Sequence, residues 1–268
     1  MKALRYILLG LVALAVIGLL CYQGFVSKDL ESGDLVRGLL ILAGLILAMV
    51  RPRRSRRVSN KKALYQKAYQ EYIQNPFSEE PRLEKQFYNA VDDYNQGKPA
   101  AAVSKLNKLR KDCQRSADVY SVTVFMALCY DDMRLYSDAI QTYQAALNLR
   151  PSSSLASNMG LCYYNIGDKE NAEKAYRQAI NLKPNNAFAH NNMASLYFRE
   201  GDYAKALDHA ETALQANGKL AQALSLAAVC CALLGHDSKY QDYYRRAVSC
   251  GYDGNKIKST IRALNAEL

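Results

Sequence analysis

The feature that most constrains the fold is a period of 34 residues in the C-terminal part of the chain. Gly167, Gly201 and Gly235 follow one another at intervals of 34 residues, and Ala179 and Ala213 repeat the same interval. A fixed period of this length indicates one supersecondary unit stacked on copies of itself. Because each unit buries its apolar face on its neighbours, the pattern predicts an elongated array of units.

The residues around these glycines resemble the tetratricopeptide repeat, a unit of two helices. The clearest copy contains the run Asn158-Met-Gly-Leu-Cys-Tyr-Tyr-Asn-Ile-Gly-Asp and ends near Pro184. The resemblance implies five copies and a capping helix, at residues 83–119, 120–152, 153–186, 187–220, 221–254 and 255–268. The expected fold is therefore all-α, a superhelical solenoid of about five helix pairs.

Small residues recur where the two helices of a copy must approach closely. The eighth position of the first helix is always small: Ala90, Ala127, Gly160, Ala194 and Ala228. The twentieth position, on the second helix, is small in four copies and Tyr240 in the last: Ala102, Ala139, Ala172 and Ala206 are the small ones. A larger side chain at these positions would overpack the seam between the helices.

Two apolar runs precede the repeats. Residues 6–22 carry no charged side chain, and residues 35–50 carry only Arg37. At ~1.5 Å per helical residue each run approaches the thickness of a bilayer core. We therefore expect a two-helix transmembrane hairpin at residues 1–50. A cleaved signal peptide for the first run, or a core or interfacial helix for the second, is the alternative.

A basic collar follows the second run, and residues 51–82 are predicted to combine it with a linker helix. The collar arginines are expected at the membrane surface: Arg51, Arg53, Arg54, Arg56 and Arg57. With Lys61 and Lys62 they supply +7 of the net charge of +10, which leaves the repeats nearly neutral. The positive-inside rule then places both termini in the cytoplasm of a multi-pass cell-membrane protein. A nearly neutral repeat domain does not favour nucleic-acid binding.

The linker carries three tyrosines at helical spacing, Tyr65, Tyr69 and Tyr72. Side chains at i, i+4 and i+7 share one helix face. We expect this face to pack on the first repeat, and the alternative is a stripe that binds a partner.

The sequence offers no convergent chemistry. His190, His209 and His236 occupy different positions of their copies, and none of the seven cysteines forms a Cys-x-x-Cys pair. We therefore expect no catalytic site, no metal, no cofactor and no small-molecule substrate. The cysteines are interpreted as reduced thiols packed as small apolar side chains.

The resemblance also implies a binding groove, because in this family the first helices line a concave face. Carried onto this chain, the groove positions hold Ser154, Ser157, Asn158, Leu161, Tyr164 and Asn165 in one copy. In the next copy they hold Phe188, Asn191, Asn192, Ser195, Phe198 and Arg199. Asn158 and Asn192 take the same position, where a side-chain amide can donate to and accept from a peptide backbone. The ladder does not extend further, since Phe125 and Leu226 stand at that position in the flanking copies. The alternative is that asparagine is simply common there.

The expected function is a membrane-tethered scaffold that recruits or assembles other proteins or peptide segments through this groove. Two alternatives remain open. One is a membrane receptor or co-chaperone for extended client peptides. The other is a regulatory subunit of an envelope complex that acts through its membrane hairpin.

Overall fold

The computed structural model describes residues 54–73, 77 and 80–267, and within them all regular secondary structure is helical. Twelve helices lie in these residues: α1 Arg54–Ala68, α2 Pro81–Asn95, α3 Pro99–Asp112, α4 Ser116–Asp132, α5 Tyr136–Leu149, α6 Ser153–Asn165, α7 Lys169–Leu182, α8 Ala187–Arg199, α9 Tyr203–Ala216, α10 Ala221–Leu233, α11 Asp237–Ser249 and α12 Gly254–Glu267. The chain divides into two compact units, residues 1–64 and 65–268, and only residues 54–64 of the first are described.

Helices α2 to α11 form five hairpins of two consecutive helices that pack on each other. Each second helix also packs on the first helix of the next hairpin. The first helices lie side by side at α2 and α4, at α6 and α8, and at α8 and α10. The expected all-α solenoid of helix pairs is therefore confirmed, and the first helices α6, α8 and α10 provide one continuous face.

The first helix of each hairpin is followed by a residue with a positive φ. Gly167 has a φ of 83°, and the next residue, Asp168, donates its backbone N–H to the carbonyl of Tyr163 at 3.0 Å. Glycine is favoured here because it has no Cβ to oppose the left-handed conformation. In the second hairpin the same place is held by Arg134, with a φ of 58°. The left-handed conformation of Arg134 costs conformational free energy, which the glycines at this place in the other hairpins avoid.

The recurring small residues lie on the seam between paired helices. Ala127, Ala172 and Ala206 are fully buried. A Cβ on Gly160 would lie 2.6 Å from the Cδ1 and Cε1 atoms of Tyr176, so glycine allows this ring to lie against α6. The last hairpin differs, since Tyr240 holds the equivalent position and is only half-buried.

Helix α1 ends at Ala68, although helical character in the sequence extends to residue 74. The chain then turns, because the N–H groups of Tyr72 and Ile73 both bond to the carbonyl of Tyr69, at 2.9 and 2.8 Å. We call Tyr69–Ile73 the linker segment. Just before it, Tyr65 is buried and its hydroxyl donates to Oδ1 of Asp92 in α2 at 2.6 Å. The three linker tyrosines therefore pack on the repeats.

The predicted membrane hairpin, with its runs at 6–22 and 35–50, lies outside the described residues, as do Arg51 and Arg53. The other arginines of the collar lie on α1: Arg54, Arg56 and Arg57. None of the helices in the described residues combines the length and the apolar character that a membrane crossing requires.

The C-terminal helix α12 packs on α10 and α11. Ile257 is almost fully buried there, and Ile261 and Leu264 pack against the same apolar cluster as Leu233. Covering the apolar end of the last hairpin removes a surface that would otherwise face water.

Candidate partner-binding groove

The groove residues named from the sequence lie on two neighbouring first helices. Helix α6 holds Ser154, Asn158, Leu161, Tyr164 and Asn165. Helix α8 holds Phe188, Asn191, Asn192, Ser195, Phe198 and Arg199. Because α6 and α8 pack side by side, the two sets adjoin each other on the face formed by the first helices.

Two contacts join the sets directly. The Nδ2 amide of Asn192 donates to Oγ of Ser157 at 3.3 Å. The guanidinium carbon of Arg199 lies 4.6 Å from the ring centroid of Tyr164. A cation held over an aromatic face is stabilised by the ring quadrupole, so this contact fixes both side chains in one arrangement.

Large apolar side chains are exposed on this face. Phe188 is 63% exposed and Leu161 is 36% exposed. Phe198 is half-buried, with its ring centroid 5.5 Å from that of Tyr203. Complete burial of a phenylalanine or leucine side chain stabilises a protein by ~1.5–3 kcal/mol relative to its exposure to water. A partner that covers these side chains would gain part of this free energy. Aromatic and aliphatic anchors of this kind dominate protein interfaces.

The asparagine ladder is partly used inside the protein. Asn158 is half-buried and hydrogen-bonds Tyr143, whose pKa lies well above its ordinary value because of burial and the nearby Asp131 carboxylate. Asn192 bonds Ser157, as described above. The Oδ1 atom of Asn191, by contrast, is buried without a hydrogen-bond partner among the described residues. Asn158 therefore supports the fold as well as lining the groove.

The N-terminal part of the groove is occupied by the chain itself. The ring centroid of Tyr69 lies 5.0 Å from that of Phe125 on α4, in an edge-on arrangement. The Tyr69 hydroxyl donates to Oδ1 of Asn95 at 2.8 Å. Phe125 holds the repeat position that Asn158 and Asn192 hold in the next two copies. The linker segment thus covers groove positions of the first two repeats.

Glu71 of the linker segment extends this occupation to the third repeat. Its carboxylate accepts from Oγ of Ser154 at 2.8 Å and from Oγ of Ser152 at 2.5 Å. Its backbone carbonyl accepts from the Arg150 guanidinium. Ser121 on α4 donates through Oγ to the carbonyl of Tyr72 at 3.0 Å. Ser154, which the sequence assigns to a partner, is therefore engaged by Glu71 of the same chain.

A buried hydrogen bond holds the chain to the repeats just after the linker segment. The N–H of Phe77 donates to Oδ1 of Asp118 at 2.7 Å, and both residues are buried. The Phe77 ring lies 5.4 Å from that of Phe87. The three-tyrosine pattern indicated an apolar face, but it carried no signal for the surface that this face covers.

The part of the groove that remains uncovered is the open window, which we define by Leu161, Tyr164, Phe188, Asn192 and Phe198. Asn165 and Arg199 lie at its edge and are exposed. The linker segment bounds the open window on the N-terminal side.

The described thiols are unpaired, and most are buried. Burial, with the Asp132 charge second, raises the pKa of Cys129 to about 12. Burial also raises the pKa of Cys231 to about 11. These thiols are protonated at neutral pH and so lack the thiolate that nucleophilic chemistry needs. In the described part of the chain, no three His, Cys, Asp or Glu side chains converge as metal ligands would.

Comparison with known families supports the repeat assignment. Three family models match the chain: a TPR repeat over residues 160–201, and a tetratricopeptide repeat over residues 187–220 and over residues 124–153. These matches cover all of α8 and the C-terminal part of α6. None of the curated proteins matches the sequence.

Solved structures share the fold at low identity. The crystal structure of MamA protein is 18% identical, with a TM-score of 0.53 over 63% of this chain and 91% of that one. YrrB, a TPR protein with an unusual peptide-binding site, is 16% identical, with a TM-score of 0.51 over 66% and 90%. A tetratricopeptide repeat protein from Parabacteroides merdae is 17% identical, with a TM-score of 0.54 over 62% and 66%.

Proposed function

We propose that this chain, whose repeats match three tetratricopeptide-repeat models, is a scaffold that holds partner proteins in the open window of its groove. The observation that carries the proposal is the exposure of Phe188 and Leu161 on adjoining first helices of one face. Apolar side chains gathered at one site, beside amides and one cation, are typical of a protein interface. The proposal assigns the chain no catalytic step.

The chemistry of the open window describes the partner segment it would hold. Phe188, Phe198 and Leu161 offer apolar contacts. Arg199 favours a partner that carries an acidic group at this edge. YrrB shows that this fold can hold a peptide, although the low identity carries no residue of its site onto this chain.

We further propose that residues 1–50 tether the scaffold to the cell membrane as a two-helix hairpin, with both termini in the cytoplasm. The support is in the sequence: two apolar runs at 6–22 and 35–50, followed by the arginine-rich collar. A polybasic stretch directly after a membrane span favours the cytoplasmic side and contacts anionic headgroups. The scaffold would then gather its partners at the membrane.

Co-purification from native membranes tests the groove. The variant Leu161→Ser, Phe188→Ser removes two exposed apolar side chains from the open window with little loss of packing. The matched control is Leu149→Ser, Leu182→Ser, which changes side chains that are 40% and 44% exposed on the second helices α5 and α7. Selective loss of proteins from the first variant supports the proposal. An identical set of co-purified proteins from both variants and the unaltered chain contradicts it.

Membrane fractionation tests the tether. The full chain should resist extraction with alkaline carbonate, and its C-terminal repeats should be digested by protease only after the cell membrane is opened. Recovery of the full chain in the soluble fraction would refute the hairpin. Replacing residues 1–50 with an unrelated two-span anchor should preserve partner binding, whereas loss of function on this swap would favour the alternative in which the hairpin itself regulates an envelope complex.

A further inference from the structure

We propose that the linker segment is a resident ligand of the groove, and that a partner segment of the same aromatic–acid–aromatic chemistry competes with it for the covered positions that adjoin the open window. The inference deepens the proposed function, on which it rests, by naming the kind of segment that the groove takes. Tyr69, Glu71 and Tyr72 bind residues at positions that line the groove in this repeat.

The positions used are equivalent from one repeat to the next. Ser121 and Ser154 both stand at the second position of their first helices, and each donates its hydroxyl to the linker segment. Phe125 stands at the sixth position and Asn95 at the thirteenth. In the fourth repeat, residues 187–220, the second, sixth and thirteenth positions hold Phe188, Asn192 and Arg199, which belong to or border the open window. The linker segment thus shows what one half of the groove recognises.

The acidic residue occupies a site built for a carboxylate. Ser152 is the N-cap of α6, accepting from the N–H of Leu155 at 3.3 Å, and its hydroxyl donates to Glu71. The N-terminal end of a helix is positively polarised and stabilises an anion. The Arg150 guanidinium lies 3.8 Å from the ring centroid of Tyr120, which holds it beside the site. Two hydroxyls and a helix end therefore converge on the carboxylate of Glu71, and the Arg150 guanidinium bonds the backbone carbonyl of the same residue.

Aromatic side chains flank this carboxylate on both sides. The Tyr69 ring packs edge-on against Phe125, and its centroid also lies 6.4 Å from that of Tyr94. Tyr72 is partly buried against the apolar cluster that contains Tyr143 and Leu155. The recognised pattern is Tyr-x-Glu-Tyr, with one residue between the first tyrosine and the acid.

The binding is of a kind that a competitor can reverse. The linker segment lies outside any helix and is bound by individual hydrogen bonds, ring contacts and the buried side chain of Ile73, while Glu71 itself is exposed to solvent. Its attachment to the repeats gives it an effective concentration in the millimolar range, so a competing segment must bind well or meet a weakened linker. A free peptide should therefore bind the unaltered chain weakly and a linker variant strongly.

The test is the binding of a labelled synthetic peptide with the sequence of residues 68–78 to the purified full chain, followed by fluorescence anisotropy. The variant Glu71→Ala, Tyr72→Ala weakens the resident ligand. Gln70→Ala is the matched control, because Gln70 is exposed within the same segment. We expect the peptide to bind the double variant at least ~10-fold more tightly than the unaltered chain or the control, since the tethered competitor has been weakened.

Two further arms locate the site. A peptide with glutamine in place of Glu71 should lose most of its affinity for the double variant. Adding Arg150→Ala and Ser154→Ala to that variant should have the same effect on the original peptide. Glu71→Ala alone, at an exposed position, serves where the double variant unfolds, and it should also bind the peptide more tightly than the control does.

Equal affinity of the peptide for the unaltered chain and for both linker variants would overturn the inference. So would equal binding of the glutamate and glutamine peptides. These outcomes are independent of the co-purification result. Partner loss from the Leu161→Ser, Phe188→Ser variant with no effect in the peptide experiment leaves the scaffold standing and removes only the resident ligand.

Discussion

The Nδ1 atom of His190 lies 3.1 Å from the Nδ1 atom of His209, so the two imidazoles form a hydrogen-bonded pair between α8 and α9. The Nε2 atom of His190 lies 2.9 Å from the carbonyl of Pro184, which can only accept. His190 therefore carries its proton on Nε2, and its Nδ1 accepts from His209. The His209 ring also stacks on Tyr197, with centroids 5.5 Å apart.

This pair predicts a loss of stability in mild acid. Burial, and then the neighbouring His190, lower the pKa of His209 below its ordinary value of 6.5, and Arg177 also lowers it, while Asp208 and Glu173 act against them. The unfolded chain thus binds a proton more readily than the native chain between the two pKa values. The contribution of neutral His209 to the free energy of unfolding should be fully present above pH 6.5. Below pH 6.5 the free energy of unfolding should fall, by at most ~1.4 kcal/mol per pH unit.

Urea denaturation between pH 5 and pH 8 measures this dependence. His209→Gln should flatten the slope below pH 6.5, because it removes the titrating group. His236→Gln changes an exposed histidine and should keep the slope of the unaltered chain. An unchanged slope in His209→Gln would show that other groups cause the acid sensitivity.

Gly160→Ala should destabilise the third hairpin. The new methyl would lie 2.6 Å from two ring atoms of Tyr176, which is fully buried and cannot move away easily. Overpacking of this kind costs ~1–3 kcal/mol, which outweighs the gain of up to ~1 kcal/mol in helix propensity. Chemical denaturation should show a lower midpoint. The control Gly218→Ala meets its nearest atom at 3.6 Å and should stay within ~0.5 kcal/mol of the unaltered chain.

Asn186→Ala should weaken the junction between the third and fourth hairpins. The Asn186 side chain accepts from the N–H groups of Phe188 and Ala189, and donates to Oγ of Ser153 at 2.7 Å. Ser153 in turn donates to the carbonyl of Ala179 at 2.7 Å. Loss of a helix cap and of a buried hydrogen bond together should cost about 2 kcal/mol in the free energy of unfolding.

The matched control for this change is Asn217→Ala. Asn217 is exposed, and its side chain accepts only a local bond from the N–H of Lys219 at 3.2 Å. The free energy of unfolding should fall by well under 1 kcal/mol. Similar losses in the two variants would show that the bond from Asn186 to Ser153 contributes nothing.

Arg134→Gly should stabilise the second hairpin. Arg134 is exposed and has a φ of 58° where four other hairpins have glycine. Relief of the left-handed strain should raise the free energy of unfolding by about 1 kcal/mol, less the entropy that glycine adds to the unfolded chain. Gly167→Ala, the opposite change at the equivalent position, should lower it. A destabilised Arg134→Gly variant would mean that the arginine side chain makes a contact worth more than the strain.

The sequence predicted the helical array well because the relevant interactions are local and repeated. Ala127, Ala172 and Ala206 were expected on the seam between paired helices, and all three are buried. The groove residues on α6 and α8 were expected on one face, and they adjoin. The end of α1 was not predicted, since Tyr69 and Tyr72 leave the helix to reach surfaces that helical periodicity does not describe.

The histidines show the same limit. His190 and His209 hold different positions of their repeat, so a comparison of equivalent positions gave no reason to expect that they meet. They meet because one is on the first helix and the other on the second helix of a hairpin, where packing decides which side chains touch. Their separation along the chain, 19 residues, lies below the repeat period.

The sequence alone determined the repeat, its turns and its seams, because each copy carries its own small residues and most contacts join adjacent helices. Only the tertiary structure decided which part of the groove is open. The bonds from Glu71 to Ser152 and Ser154 span 81 and 83 residues, and the bond from Phe77 to Asp118 spans 41. No periodicity encodes contacts of that range, which depend on how the tertiary fold places α4 and α6 beside the linker segment.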